Sequence, residues 1–360
     1  VIGLYHFDGE AGGRVMNNFF NLSFGTTNGR VYTTGKAAYG DWSWRLSPAL
    51  GISAGLRYTQ ETKRAVVLNQ AFTDATFSKP LATLSDFDKS LKVSNTAPKL
   101  ALDYKLSAST NLYASASRGF KSGGYNVRAN VAAVPDSAKP FKDEVLDSYE
   151  LGAKLVLDQG RLELNSAVFH NNYKNVQLSV FTSYTQANGQ PGFFGDFTNA
   201  GRASVDGAEL EMVWRPASAW LISGHVAATH AQYKDYLDRG VNVADQKKFT
   251  NTPKWAGALS VEHRFTPLFG GLLRARLGLA YRSKVYPTTD LSEALAQSGY
   301  SLWSAGLIWE RDRHWSFALQ GSNLGDKRYR TDGYNIPALG VLSGYYGAPR
   351  QLTASASYRF

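Results

Sequence analysis

The chain has no cysteine, so disulfides and thiolate metal sites are excluded. It also lacks any run of about eighteen apolar residues, which removes a helical membrane span from consideration. No cluster of like charges accompanies the net charge of +10, because the basic residues are scattered, and nucleic acid is therefore not an expected partner. The opening VIGLYHFDGE has neither a basic start, an apolar core nor a small-residue cleavage site. It reads as the middle of a strand, so either processing has removed something upstream or the chain is part of a longer one. What the chain does have is 360 residues, 34 glycines and 13% aromatics, a composition suited to many strands, tight turns and aromatic belts at a membrane interface. Its mildly negative mean hydropathy does not argue for solubility, since a barrel carries its membrane character in alternation instead of runs.

Alternation is present throughout. In the final stretch, Leu352, Ala354, Ala356, Tyr358 and Phe360 share one side of an extended chain, and Gln351, Thr353, Ser355, Ser357 and Arg359 share the other. Between Leu272 and Tyr286, Leu273, Ala275, Leu277, Leu279 and Tyr281 oppose Arg274, Arg276, Arg282 and Lys284. Arginines on one face of a strand cannot face lipid, so that face is expected to line a lumen. Likewise Glu209 and Glu211 oppose Ala208, Leu210, Met212 and Trp214, and Arg57 opposes Leu50, Ile52, Ala54, Leu56 and Tyr58. No helical periodicity competes over these windows.

The connections take turns between short and long. Short ones fall at Ser47–Ala49, Ser107–Thr110, Asp158–Gly160, Pro216–Ser218, Thr266–Gly271 and Arg311–Arg313. Long ones are expected at Glu61–Thr96, Lys121–Asp147, Phe181–Gly195, Tyr233–Asn251, Val285–Ser298 and Asn323–Pro349. Short turns alternating with long loops are the signature of an outer-membrane barrel, with the turns periplasmic and the loops extracellular. The expected fold is thus all-β, a transmembrane antiparallel β-barrel of which roughly fourteen strands are present. The first is placed near Val1–Asp8 and the second over Thr34–Leu46.

Several passages carry a family resemblance. SRGFKSGGYN (Ser117 to Asn126) and FKDEVLDSYELGAK (Phe141 to Lys154) are followed by RLELNSAVFHNNYKNVQ (Arg161 to Gln177) and NAGRASVDGAELEMVWRP (Asn199 to Pro216). NTPKW (Asn251 to Trp255), NLGDKRYRTDGY (Asn323 to Tyr334) and GAPRQLTASASYRF (Gly347 to Phe360) complete the series. In this order they resemble the TonB-dependent outer-membrane receptors. The resemblance implies a barrel of about 22 strands filled by an amino-terminal plug and preceded by a TonB-binding segment, in the outer membrane of a Gram-negative bacterium. Nothing here matches the plug or that segment, so residues 1–360 are expected to be the carboxy-terminal portion of the barrel, with about eight strands upstream. It also implies import of scarce cargo without covalent chemistry or a cofactor, with the TonB complex, the plug and lipopolysaccharide as partners. The DKRYRTDGY pattern leans toward the ferric siderophore group, and the FRAP and NPNL motifs of haem receptors are absent. Vitamin, oligosaccharide or haem import, a passive porin-like channel, and an outer-membrane hydrolase are the alternatives.

Candidate site residues follow from residue type and position. Gly51-Ile52-Ser53-Ala54-Gly55 spells the nucleophile elbow, but that mechanism needs a sharp strand-to-helix turn, and here the five residues sit inside an alternating strand. Ser53 is expected to be a small lumenal side chain. Gly119 to Gly124 lacks phosphate-loop spacing and is expected to lead a strand into a loop. Of the histidines, His225 and His230 fall on opposite faces of one strand, while His6, His170, His263 and His314 stand apart, so no metal site is expected. Glu209 and Glu211 are expected to meet lumenal cations or the plug. Trp42, Trp44, Trp214, Trp220, Trp303, Trp309 and Trp315 are expected in lipid-interface girdles. Ligand candidates are the cationic and aromatic residues of the long loops: Arg128, Lys139 and Lys142; Phe181, Tyr184, Phe193 and Phe194; and Arg328, Tyr329, Arg330, Tyr334, Tyr345 and Tyr346. Together they suit an anionic, aromatic chelate through charge attraction and ring contacts, though the same residues also suit lipopolysaccharide phosphates.

Overall fold

The structure, a computed structural model, describes residues 1–19, 21, 23–185, 189, 191–238 and 241–360. Parts of the long connections expected over Phe181–Gly195 and Tyr233–Asn251 lie outside the described residues. The strands are β1 (Ile2–Phe19), β2 (Ser23–Arg45), β3 (Leu50–Phe72), β4 (Pro80–Ser107), β5 (Thr110–Lys121), β6 (Glu144–Leu157) and β7 (Leu162–Lys174). They continue as β8 (Gln177–Thr185), β9 (Pro191–Asn199), β10 (Arg202–Trp214), β11 (Trp220–Tyr233), β12 (Leu237–Asp238), β13 (Val241–Asn242) and β14 (Trp255–Arg264). The last are β15 (Leu272–Arg282), β16 (Tyr300–Glu310), β17 (Trp315–Ser322), β18 (Arg330–Ile336), β19 (Val341–Tyr346) and β20 (Gln351–Tyr358).

Among the described residues, fourteen of these strands form one antiparallel sheet in the order β1-β2-β3-β4-β5-β6-β7-β10-β11-β14-β15-β16-β17-β20. The remaining six make three hairpins, β8 with β9, β12 with β13 and β18 with β19, set in the long connections. The sheet is a wall with β1 and β20 at its two edges. Every wall strand pairs with its neighbour in sequence along the wall, which is the meander that a transmembrane barrel requires.

Register settles which side chains share a face. Leu273, Leu277 and Leu279 on β15 lie opposite Trp309, Ala305 and Trp303 on β16, and Leu307 and Leu319 meet across β16 and β17. This side is the lipid face, and its large apolar residues stay uncovered by protein, Leu277 at 49% and Leu319 at 54% exposure. On the other side Arg274 donates from Nη2 to Glu310 at 2.7 Å, and Arg276 donates from Nε to the Ser260 hydroxyl at 2.7 Å. Arg282 lies in the same row as Ala256 and Tyr300. Charged groups in such numbers suit a wet lumen, since hydrocarbon could not hydrate them. Along the lumenal face the Tyr113 ring lies flat over Gly152, where a Cβ would come within 2.4 Å of it, and its hydroxyl donates to Glu150 at 2.7 Å.

Aromatic rings gather where the lipid face meets the short turns. Trp220 packs on His263 at 4.2 Å, Trp309 and Trp315 both stack on Phe317 at 5.7 Å, and Tyr358 bridges Trp315 and Phe360. Rings with an apolar body and a polar edge suit the boundary between hydrocarbon and head groups.

One expected loop is instead paired backbone. The stretch expected as a long connection over Glu61–Thr96 continues the β3–β4 ladder, with Glu61 opposite Val93 and Asn69 opposite Ser85, so that only residues 73–79 connect them. The first strand likewise runs past Asp8 to Phe19, and the second begins at Ser23 instead of Thr34. Above the bilayer the outward face meets water, so Gln60, Thr62 and Arg64 replace leucines and the alternating signal fades while pairing persists. The inward face of this extension is covered by the β5–β6 loop. Asn69 Nδ2 donates to the carbonyls of Val127 and Ala129 at 2.9 and 3.0 Å, and Ser85 Oγ donates to Ala129 at 2.7 Å. Ala65, Val67 and Ala129 are buried beneath.

If lipid and lumen alternate along β15, Leu277→Arg should destabilise the folded wall in vesicles by about 2–4 kcal/mol, whereas Ala280→Arg on the lumenal side should cost well under half of that. Urea titrations of the two variants of the full receptor in phospholipid vesicles measure the difference. Equal costs would contradict the assignment of faces.

Candidate ligand-binding site

The long connections converge on one cavity of about 970 Å³ at the loop end of the wall. Its lining comes from the β5–β6 loop, the β8–β9 hairpin, the β11–β14 and β15–β16 connections and the β18–β19 hairpin. A small apolar cluster of Val176, Ala200, Ala203, Tyr233 and Tyr236 seats the β8–β9 hairpin on the wall. Tyr233 stacks on Phe249 at 4.4 Å and so draws the β11–β14 connection to the same place.

Arg128 is the cation held most firmly at this cavity. Asn126 accepts the Arg128 backbone N–H at 3.0 Å, and its amide donates to the Gly195 carbonyl and to Asp196. The loop is thereby tied to the β8–β9 hairpin. The Arg128 guanidinium donates from Nη2 to Ser179 Oγ at 2.8 Å and to the Asp196 carbonyl at 3.2 Å. It also lies against Gly195, where a Cβ would come within 2.8 Å of Nη1. Burial lowers the Arg128 pKa from its ordinary value and the nearby Asp196 carboxylate opposes that shift. The Asp196 carboxylate is already occupied by Asn126, Thr182 and the Phe197 N–H. Among the described residues Arg128 makes no direct ion pair, and a partly buried cation of this kind favours an incoming anion.

Aromatic rings form the next layer. Phe181 meets Phe193 at 5.8 Å and Tyr334 at 5.9 Å, both edge to face, and Tyr334 meets Tyr345 at 5.6 Å. The Tyr184 hydroxyl accepts from Asn130 at 3.1 Å. Lys247 lies over the Tyr236 ring at 5.4 Å, and Asp290 accepts from Asn335. Lys247, Asp196 and Asp290 line the cavity without belonging to any motif, so position in a long connection is the one sequence signal they carry.

Of the residues singled out from sequence, Arg128, Phe181, Tyr184 and Tyr334 line this cavity, and Phe193 and Tyr345 support it through ring contacts. Arg328, Tyr329 and Arg330 lie at the base of the last connection. Arg328 sits over Tyr346 at 4.3 Å, Tyr329 stacks on Tyr300 at 4.7 Å, and Arg330 donates to the Ala296 carbonyl at 3.0 Å. Lys139 is paired with Asp136, and Lys142 lies outside the lining. The cavity charge is therefore mixed: Arg128 and Lys247 against Asp196, Asp290 and Asp332.

Glu209 stands in register between Ala167 and Ala227, and Glu211 between Asn165 and His225. No lysine or arginine pairs with either among the described residues, so wall cations do not meet them. Ser53 lies mid-strand in β3 with its hydroxyl 3.0 Å from that of Ser43, and no helix follows. Gly119 to Gly124 ends β5 and opens a loop in which the Gly123 N–H donates to Asp143 at 2.6 Å. His170 does not stand apart: it bonds Asp206, which lies directly opposite His230 on its other side. Strands distant in sequence bring the three residues into one row, which no spacing along the chain could reveal.

An antiparallel wall apolar outside, polar inside, belted by aromatics and topped by loops that enclose a cavity is the architecture of an outer-membrane β-barrel wall. The TonB dependent receptor-like β-barrel family model matches residues 3–324, and the chain belongs to that family. Its place is accordingly the outer membrane of a Gram-negative bacterium. The pesticin receptor of Yersinia pestis is 27% identical over 311 residues, which are 84% of this chain and 41% of that receptor. The metal-pseudopaline receptor CntO of Pseudomonas aeruginosa is 26% identical over 269 residues, 73% of this chain and 33% of that one. Among solved structures, the ferric yersiniabactin uptake receptor FyuA from Yersinia pestis superimposes with a TM-score of 0.80 at 22% identity. The match covers 100% of this chain and 51% of FyuA. The siderophore receptor PiuA from Acinetobacter baumannii gives 0.68 at 16% identity, over 92% of this chain and 44% of PiuA. The chain thus spans about half the length of these receptors or less.

The β15–β16 connection, which contributes one wall of the cavity, is fastened by Glu293. Lys284 Nζ donates to both of its carboxylate oxygens, at 3.1 and 2.8 Å, and the Tyr286 hydroxyl donates at 2.6 Å. The Lys284 hydrogen bond, then that of Tyr286, holds the Glu293 pKa below its ordinary value. A carboxylate depressed in the folded state stabilises the fold above its unfolded pKa and loses that contribution as pH falls through the folded value. Protection of the amides over residues 284–297, taken relative to their intrinsic exchange rate at each pH, should therefore fall as the pH is taken below the ordinary glutamate value of about 4.3, and Glu293→Gln should abolish that fall. Hydrogen exchange read by mass spectrometry checks it, and an unchanged profile in the variant would contradict the role of Glu293.

Proposed function

We propose that this chain is the carboxy-terminal wall and extracellular loop basket of a TonB-dependent importer whose cargo is a ferric siderophore. The observation that carries the cargo class is Arg128, a partly buried guanidinium without an ion-pair partner among the described residues, at the edge of a 970 Å³ cavity ringed by Phe181, Tyr184 and Tyr334. A chelate with an anionic edge and flat aromatic groups would pair with that cation and lie against those rings. Relatives described as a metal-pseudopaline receptor and a siderophore receptor, and the fold shared with a ferric yersiniabactin receptor, support the same reading.

In this reading the loops bind the cargo on the cell surface, and a plug filling the lumen is displaced when the TonB complex, drawing on the proton gradient of the inner membrane, pulls on it. The wall does no covalent chemistry. Glu209 and Glu211, exposed on the lumenal face without a wall partner, would then contact the plug. The remaining strands of the barrel, the plug and the TonB-binding segment belong to the full receptor.

The test is growth of an iron-starved, receptor-null strain carrying the full-length gene on a panel of siderophores, with and without TonB. TonB-dependent growth on at least one catecholate or phenolate siderophore is expected. Arg128→Gln should weaken binding of that siderophore by roughly thirtyfold, the equivalent of about 2 kcal/mol for one charge-assisted contact. Growth on none of the panel, with rescue by a vitamin or oligosaccharide instead, would overturn the cargo assignment. Growth independent of TonB would support a passive channel.

A further inference from the structure

The cavity at the loop end of the wall has two poles of opposite charge, joined by a row of rings. Arg128 donates to Ser179 on β8, and Phe181 lies two residues further along that strand, on the same face. The Phe181 ring meets Tyr334 on β18 at 5.9 Å. Asp332, two residues before Tyr334, shares its face of β18 and lies opposite Tyr345. Asn335, next after Tyr334, donates to Asp290 and so holds the β15–β16 connection at the same end. A path from the guanidinium across two rings therefore ends on a hairpin that carries one carboxylate and fastens another.

These two carboxylates have capacity to spare. Asp332 accepts the N–H of Gly333 at 2.8 Å, and Asp290 accepts from Asn335 and, at 3.4 Å, from the Ser292 N–H. Both residues are exposed. Among the described residues neither meets a lysine or arginine, because the cations of the same two connections are committed elsewhere. Lys284 pairs with Glu293, Arg330 donates to the Ala296 carbonyl, and Arg328 lies over Tyr346.

The lining as a whole holds two cations, Arg128 and Lys247, and three carboxylates, Asp196, Asp290 and Asp332. Asp196 stands beside Arg128 and is engaged by Asn126, Thr182 and the Phe197 N–H. The negative excess therefore sits at the far pole, and a wholly anionic chelate would bring its own charge against it. Among the described residues no group of three or more histidine, aspartate or glutamate side chains is placed to hold a metal ion. The partner that fits these carboxylates is an organic cation, which the exposed Tyr334 ring beside them can also receive on its face.

We infer that the cargo is zwitterionic: a siderophore whose anionic, metal-binding part faces Arg128 and which carries a protonated amine received by Asp332 and Asp290. The inference rests on the ferric siderophore reading above and adds a selectivity to it. A chelate lacking the amine would leave two carboxylates unanswered in a ring-lined cavity from which it displaces water, so the site discriminates against it. Asp332 and Asp290 thus set specificity, while Arg128 serves every anionic member of the class.

The full-length receptor, purified in a mild detergent, is titrated calorimetrically with ferric catecholate and ferric phenolate chelates. Each chelate is prepared in two forms on one scaffold, with a free primary amine and with that amine acetylated. On at least one scaffold the amine form is expected to bind roughly fivefold more tightly, the upper range for an exposed ion pair. Asp290→Asn/Asp332→Asn should bring the ratio of the two affinities close to one, and Asp332→Asn alone should move it part of the way. Asparagine keeps the acceptor oxygens that meet Asn335 and Gly333, and a purely structural loss would lower both affinities without moving their ratio. Arg128→Gln should weaken both forms and leave the ratio. Equal affinity of the two forms, or tighter binding of the acetylated one, on every scaffold that binds would overturn the inference and leave the siderophore reading standing. So would a double variant that keeps the parent's ratio. Binding of no chelate in either form would overturn both.

Discussion

In hydrocarbon no water is available to satisfy a peptide group, so each backbone N–H and C=O must find its partner within the protein. Fourteen strands joined in one antiparallel meander meet that demand along the wall, and the pleat of each strand then sends alternate side chains to opposite sides. Everything else about the wall follows. Leu277 and Leu319 can stay uncovered because lipid covers them, and Arg274 and Arg276 can stay charged because the lumen is wet. Trp309, Trp315 and Tyr358 mark where one medium gives way to the other. The outer edges of β1 and β20 are where the same demand is unmet within the sheet, and the proposed fuller barrel supplies partners there.

Above the bilayer the constraint relaxes, and the loops use the freedom to enclose a cavity. The β3–β4 ladder continues into the extracellular space, and its inner face gives the β5–β6 loop something to pack on through Asn69 and Ser85. That loop presents Arg128 to the β8–β9 hairpin, whose rings meet those of the last connection at Phe181 and Tyr334. The cavity is therefore an assembly of contacts between distant segments, each short in itself. Its mixed charge follows from carboxylates that the loops also need to hold themselves in place, as Asp196 does for Asn126 and Thr182.

The wall was legible in the sequence wherever lipid imposed a pattern. All six short turns fall between observed strands, from Ser47–Ala49 to Arg311–Arg313, and the Leu273-to-Tyr281 face is the lipid face. The upper β3–β4 ladder was not legible, because Glu61 to Thr96 is wet on its outer side and covered by a polar loop on its inner side, leaving hydropathy no alternation to report. The lining of the candidate cavity was legible in part. Arg128, Tyr184 and Tyr334 fall in it, whereas Arg328 and Arg330, of like residue type in a long connection, turn toward Tyr346 and Ala296, which only the fold shows. Lys247, Asp290 and the His170–Asp206–His230 row depend on strand neighbours far away in sequence, and one-dimensional spacing does not encode them.

The alternation of lipid and water along a single strand is most directly measured by spin labels placed one at a time from Leu273 to Tyr281 in the full receptor, reconstituted in phospholipid vesicles. Accessibility to oxygen should peak at residues 273, 275, 277, 279 and 281, and accessibility to a water-soluble nickel chelate at the residues between them. A period near 3.6 residues, or oxygen access peaking at Arg274 and Arg276, would contradict a membrane-spanning wall.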